Sequence, residues 1–232
     1  MKTAVVALPR AAKFFACILL VLTLAVPSVS AKRKKTQAKK TATPTPIAAT
    51  PTPTPIVDPI VEIVTSKGTV YVKLYRQAAP RHTANFLELA AARYYENVSF
   101  HRVMRGVMAE TGDRNTLNDF SWDDGRGGPG YSLAPELGLP VVRGSVVASR
   151  LPDQVNPKRL SNGSMFFICL TDLPMFTDRF SVFGEVVSGI EVLDRIAAVE
   201  CDREGRPVAP VYIDVVSAAE TAGSSQSQQR PR

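Results

Sequence analysis

The sequence predicts a mainly β domain, an antiparallel sheet or barrel with two helices packed on it. Three observations predict it. Eight short runs rich in β-branched and aromatic residues fall between residues 61 and 216. Only two stretches carry helical spacing, and no regular alternation of strand and helix suggests a parallel sheet.

The runs at 61–65 and 69–75 flank Ser66-Lys67-Gly68, a short hairpin turn. A helix starts near Pro80, a residue suited to the first helical turn, with Phe86, Leu89, Ala90 and Tyr94 at helical spacing. Strands follow at 98–103, 107–110, 145–149, 165–170 and 181–187. Ser188-Gly189-Ile190-Glu191 reads as a capping box that opens a second helix through Leu193, Ile196 and Ala197. A strand at 211–216 closes the series. Segments 114–124, with the only tryptophan, Trp122, and 151–161 read as inserted surface loops of the kind that set specificity near a site.

The 232 residues, 45% of them apolar, allow one medium domain plus flanking segments. The net charge of +7 is unevenly placed: residues 1–60 hold nine Lys/Arg and one Asp, and residues 61–232 hold nineteen Lys/Arg and twenty Asp/Glu. A body near neutral has no broad basic face for phosphates, so no nucleic-acid partner is expected. Three Cys and two His exclude a disulfide-dense scaffold and a Cys-rich zinc module, and no metal or cofactor is expected. Cys169 falls in a buried strand and is read as a free thiol, with pairing to Cys201 in an oxidising compartment as the alternative.

The flanks read as an address and a tether. Lys2, Arg10 and Lys13 precede an apolar run at 14–26, and small residues end at Ala31, so residues 1–31 read as a secretory signal. The competing reading, an uncleaved anchor, has thirteen residues where about 20 are needed to span a bilayer. Residues 32–59 form a basic, then Thr/Pro-rich linker with six prolines between Thr41 and Pro59, expected to be disordered and polyproline-like. Its Lys-rich start either makes weak contact with an anionic membrane or wall or is a solvated charge run. The folded domain is expected over 60–217, and the Ser/Gln-rich stretch 218–232 as a disordered tail. The expected location is periplasmic or extracellular, membrane-tethered if the signal is retained. No heptads suggest self-association, so a monomer is expected.

Two constellations fail on context. Gly125-Arg126-Gly127-Gly128-Pro129-Gly130 matches a dinucleotide pattern, but Pro129 removes a donor and no helix follows, so it reads as a tight loop. His82 and His101 have no identifiable partner for nucleophilic catalysis, and His101 reads as a hydrogen-bonded residue at the edge of the core. A third constellation survives. Strand alternation places Phe100, Arg102 and Met104 on one face, and a turn at Arg105-Gly106 returns Met108 and Glu110 towards Arg102. A guanidinium beside Phe and Met suits an apolar peptide segment with one carbonyl.

Further landmarks follow in order: Asn85-Phe86-Leu87, Phe100-His101-Arg102-Val103, Gly112-Asp113, Gly127-Gly128-Pro129-Gly130-Tyr131, Asn162-Gly163-Ser164-Met165-Phe166-Phe167-Ile168 and Val182-Phe183-Gly184. On this ordered set the chain resembles the cyclophilin family of peptidyl-prolyl cis–trans isomerases over about residues 60–216. The resemblance implies an eight-stranded antiparallel β-barrel capped by two α-helices, with the site on the outer barrel surface. It implies that Arg102 is the catalytic arginine and that Met108 and Phe167 hold the substrate proline ring. Phe100 joins the substrate-binding set beside Arg102, and Val107 stands where the family often has Phe. Glu110 replaces a Gln that supports the arginine, and Met165 replaces another pocket Gln. Met175, Phe176 and Phe180 fall on the pocket wall, and Ser149 and Arg150 on the peptide groove. The implied partners are proline-containing unfolded or exported polypeptides. The alternative is a catalytically weak or inactive module that binds such segments without turning them over.

Overall fold

Ile60–Thr65 (β1) and Gly68–Leu74 (β2) alternate buried and exposed positions and pair antiparallel, with Thr65 opposite Gly68 across the two-residue turn. The computed structural model describes residues 57–219. The signal and most of the linker therefore lie outside the described residues, as does most of the tail. The remaining strands are Arg102–Met104 (β3), Met108–Thr111 (β4), Ser145–Ala148 (β5), Phe166–Cys169 (β6), Val182–Ser188 (β7) and Ile213–Ala218 (β8). They form one eight-stranded antiparallel sheet in the order β3-β4-β6-β5-β7-β2-β1-β8. Its two edges meet through Ser99 and Tyr212, an isolated bridge, with the Phe100 N–H donating to the Val211 carbonyl at 2.8 Å. The sheet thus curls into a barrel.

Helices α1 (Pro80–Ala91) and α2 (Ile190–Ala197) cap it, burying Phe86 from α1 and Val192, Leu193 and Ile196 from α2 in the barrel interior. Alternation along β6 explains why there are two apolar clusters. Phe166 and Ile168 enter the interior with Val146, Ala148 and Phe183, whereas Phe167 and Cys169 face outwards with Met108, Val147 and Val182. The outer cluster is where the functional side chains gather.

Several expectations need correction. The first helix ends at Ala91, so Tyr94 lies beyond it, after Arg93 in the left-handed region. No capping box opens α2: Ser188 is the last residue of β7, and Gly189 holds the N-cap position at φ 84° without a side-chain bond. Only glycine fits there, because a Cβ would lie 2.3 Å from the Thr69 carbonyl oxygen. The strand expected over 98–103 is paired as a ladder only from Arg102, because residues 98–100 instead exchange bonds with 211–213. β8 continues to Ala218, and the Ala219 N–H donates to the Ile60 carbonyl, so the folded domain runs past the expected boundary at 217. The free-thiol reading of Cys169 needs no such correction: it and Cys201 form no disulfide among the described residues, and burial pushes the Cys169 thiol up to about 12.

Candidate active site on the outer barrel face

The hairpin expected around Arg105-Gly106 forms as read. Gly106 takes φ 72° in the turn, the Val107 N–H donates to the Met104 carbonyl at 2.9 Å, and Met104 stands opposite Met108. This register puts Arg102 opposite Glu110, and Glu110 in turn opposite Phe167 on β6, with Val147 of β5 next in the row. Residues directly opposite in a ladder project to the same face. Arg102, Glu110 and Phe167 therefore share the outer surface, Arg102 and Phe167 being two strand spacings, roughly 10 Å, apart.

The side chain of Arg102 is 48% exposed. It donates from Nη1 to Glu110 Oε2 at 3.5 Å and from Nη2 to Met104 Sδ at 3.3 Å. No bidentate clamp forms, and the donors stay available to a ligand. His101 is buried beneath the pair, its Nε2 3.9 Å from Glu110 Oε2. Burial lowers its pKa, against the opposing pull of Glu110, Asp113 and Asp124, so the ring is neutral at pH 7. Its Nδ1 has no hydrogen-bond partner among the described residues, which corrects the reading of His101 as a bonded edge residue.

The expected site residues fall into two adjoining groups. Arg102, Glu110, Ser149, Arg150 and Met165 line one groove of about 1470 Å³. Val107, Met108, Phe167, Phe176 and Phe180 form the outer apolar cluster. In that cluster Phe176 lies 4.7 Å from Phe180, and the two rings lie 6.3 and 5.8 Å from Phe167, leaving Phe167 only 3% exposed. Arg150 joins the groups: its guanidinium sits 4.4 Å over the Phe180 ring. That side chain is committed, donating to the carbonyls of Arg179 and Leu151 and lying 2.7 Å from Asp153, so it braces the wall rather than reaching into the groove. Ser149 spends its N–H on Met165 and its carbonyl on Asn162, and its buried Oγ has no hydrogen-bond partner among the described residues.

Two expected residues lie elsewhere. Phe100 precedes the start of the β3 ladder and packs in the barrel interior, so the assumed alternation with Arg102 breaks. Met175 sits on a one-turn helix, Pro174–Phe176, and is 60% exposed, outside the cluster.

Sequence reasoning missed the scaffold around the groove. Asp113 is fully buried, and its carboxylate accepts from the backbone N–H groups of Asn115, Gly125, Arg126 and Gly127. A Cβ on Gly127 would lie 2.1 Å from Asp113 Oδ1, so the glycine-rich loop is a wrapping for that carboxylate. His82 also has partners: Nδ1 lies 2.6 Å from Glu136 Oε2 and Nε2 lies 2.9 Å from Ser161 Oγ. Burial lowers the His82 pKa, with Glu136 pulling against it. Burial likewise opposes ionisation of Glu136, but hydrogen bonds from the His82 ring and the N–H groups of Arg81 and His82 lower its pKa overall. This chain ties the start of α1 to the groove edge.

A family model described as cyclophilin type peptidyl-prolyl cis-trans isomerase/CLD matches residues 60–218, the whole barrel. The chain belongs to this cyclophilin family. It is 32% identical over 158 residues to a peptidyl-prolyl cis-trans isomerase of Arabidopsis thaliana, covering 67% of this chain and 90% of the relative. It is 36% identical over 154 residues to peptidyl-prolyl cis-trans isomerase-like 1 of Aspergillus fumigatus, covering 64% and 88%. Among solved structures, a cyclophilin type isomerase of Cryptosporidium parvum determined in the presence of the dipeptide ala-pro matches with a TM-score of 0.63 and 26% identity. That match covers 70% of this chain and 99% of the other. As a cyclophilin, this chain is a peptidyl-prolyl cis–trans isomerase, and its curled eight-stranded sheet with two helices is the fold of that neighbour.

Proposed function

We propose that this cyclophilin isomerises X–Pro bonds of exported polypeptides and that Arg102 stabilises the twisted imide. Rotation breaks amide resonance over a barrier of roughly 18–20 kcal/mol, and no covalent step is needed. Arg102 donates to the carbonyl oxygen before the proline or to the lone pair that develops on the prolyl nitrogen. Either contact is stronger in the twisted state than in the planar ones, which is the differential binding that catalysis requires. A ~10⁵-fold acceleration needs about 7 kcal/mol of such stabilisation. The outer cluster around Met108 and Phe167 offers the ring an apolar seat, and the Ser149 hydroxyl a donor for the flanking backbone.

The observation that carries this reading is the row Arg102–Glu110–Phe167 on one face of the barrel, with only two of the five Arg102 N–H donors engaged. A protease-coupled assay of the full chain on an Ala-Pro peptide tests it. Turnover that falls at least tenfold in Arg102→Ala supports the role of Arg102, and equal rates in the two proteins refute it.

The placement outside the cytoplasm rests on the features of residues 1–31. Fractionation of expressing cells checks it: the chain is expected in the exported fraction with a new N-terminus after Ala31, and retention in the cytosol overturns it.

A further inference from the structure

Glu136, His82 and Ser161 form a chain of hydrogen bonds that X–Pro isomerisation does not use. His82 Nδ1 lies 2.6 Å from Glu136 Oε2, and Nε2 lies 2.9 Å from Ser161 Oγ. Burial opposes ionisation of Glu136, but hydrogen bonds from His82 and from the Arg81 and His82 N–H groups hold its carboxyl below the ordinary value. An ionised carboxylate only accepts, so Nδ1 carries the ring proton and donates it. The Nε2 lone pair then accepts from the Ser161 hydroxyl. Burial lowers the His82 pKa, with Glu136 pulling it up and Arg81 pushing it down, so the ring is neutral at neutral pH. This is the tautomer in which an imidazole takes the proton of a hydroxyl that attacks a carbonyl.

Each member is held in place. Arg81 and His82 lie in the first turn of α1, where N–H groups have no helical partner, and they donate to Glu136 Oε1 and Oε2 at 3.0 Å each. The Glu136 N–H donates to Ser181 Oγ at 2.9 Å. Ser161 exchanges N–H and carbonyl bonds with Leu133 at 2.9 and 3.2 Å, and the next N–H, of Asn162, donates to the Ser149 carbonyl at 2.8 Å. Capping the helix uses only the backbone contacts of Glu136, and the contact from ring to hydroxyl adds nothing to that cap. It brings a basic nitrogen to a residue of the groove wall, which Tyr131 and Leu160 also line. Ser161 is only 3% exposed, so the group that reaches it has to be slender.

We propose that Ser161 is the nucleophile of a second, acyl-transfer site, with His82 as general base and Glu136 as its positioning residue. Its substrates are esters of short, acetyl-sized acyl chains whose alcohol portion lies in the groove. The Ser161 oxygen bonds to the acyl carbon while its proton passes to His82 Nε2. The ester C–O bond breaks, and that proton leaves with the alcohol. Water then attacks the acyl carbon and gives a proton to His82, which returns it to Ser161 Oγ as the acid departs. This activity goes beyond the isomerase reading and does not depend on it.

The test treats the full chain with p-nitrophenyl acetate and, separately, with a small alkyl fluorophosphonate, and maps the adducts by mass spectrometry after digestion. Both reagents are expected to modify Ser161, and the ester to release about one p-nitrophenolate per chain in a burst. Ser161→Ala should abolish the burst with the fold intact by circular dichroism. His82→Gln and Glu136→Gln should slow modification of Ser161 roughly 100-fold, the ordinary weight of a base in such a step. The wild-type rate should be full above pH 6.5 and fall as His82 is protonated at lower pH. Glu136→Gln should move that inflection to lower pH, because Glu136 raises the His82 pKa; a purely structural tie would leave it in place. Acetylated lysines beside an unmodified Ser161 overturn the proposal. So does a Ser161 that reacts as fast in His82→Gln as in wild type.

Discussion

Glu110 faces Arg102 across the β3–β4 ladder, and its carboxylate reaches the guanidinium through one nitrogen at 3.5 Å. A bidentate pair would fix the guanidinium and occupy two donors; this contact does neither. What the carboxylate does supply is a negative charge beside the group meant to stabilise the twisted imide. Glu110→Gln removes that charge and keeps the shape. We predict that kcat/KM rises roughly threefold, about 0.7 kcal/mol of transition-state stabilisation. A peptide assay comparing the two proteins checks it, and a lower rate in the variant would show that the carboxylate orients Arg102.

The rings of Phe176 and Phe180, 4.7 Å apart and tilted by 44°, pack edge-on against Phe167 and keep it from solvent. A proline ring that rests on Phe167 has to displace one of them. Phe176→Leu shortens the cover while leaving the seat apolar. The expected result is a KM lowered roughly threefold with kcat unchanged, a pocket effect of ordinary size. An increase in KM would mean that the Phe176 ring is itself part of the seat.

The chain has two histidines, and burial lowers the pKa of both His82 and His101. The sign follows directly. Below the unfolded value of 6.5 the unfolded chain binds protons that the folded state resists, so stability is full above pH 6.5 and is lost as pH falls through the folded values. Urea unfolding at pH 7.5 and 5.5 should show a lower midpoint at 5.5. His82→Gln/His101→Gln should flatten that dependence, and an equal slope in the variant would place its origin elsewhere.

Asp113 holds four backbone N–H groups, and only that of Arg126 has a second acceptor among the described residues, the Asp123 carbonyl at 3.2 Å. Asp113→Ala should cost about 3 kcal/mol, because buried donors lose their partner at roughly 1–3 kcal/mol each, offset by water entering the gap. Chemical unfolding measures it. A loss below 0.5 kcal/mol, the scale of ordinary surface substitutions, would contradict the role given to this carboxylate.

Much of this arrangement is legible in the residues, and the failures have physical causes. The β3–β4 hairpin follows from alternation around Arg105-Gly106, a local relation that reads directly. Phe100 fails because alternation holds only within a ladder, and the chain before Arg102 pairs with 211–213, over a hundred positions away. Met175 fails because a one-turn helix turns it towards solvent. The packing of Arg150 over Phe180 and the chain Glu136–His82–Ser161 join residues far apart in sequence, so no spacing rule reveals them. The glycine-rich loop is legible as a loop, but its role of wrapping Asp113 joins residues that only the folded chain brings together.

The most direct test is magnetisation-exchange NMR on an Ala-Pro peptide with a catalytic amount of the full chain. Wild type should bring cis and trans signals into measurable exchange, and Arg102→Ala should slow that exchange about 100-fold with the fold intact by circular dichroism. Equal exchange in both proteins would contradict the account.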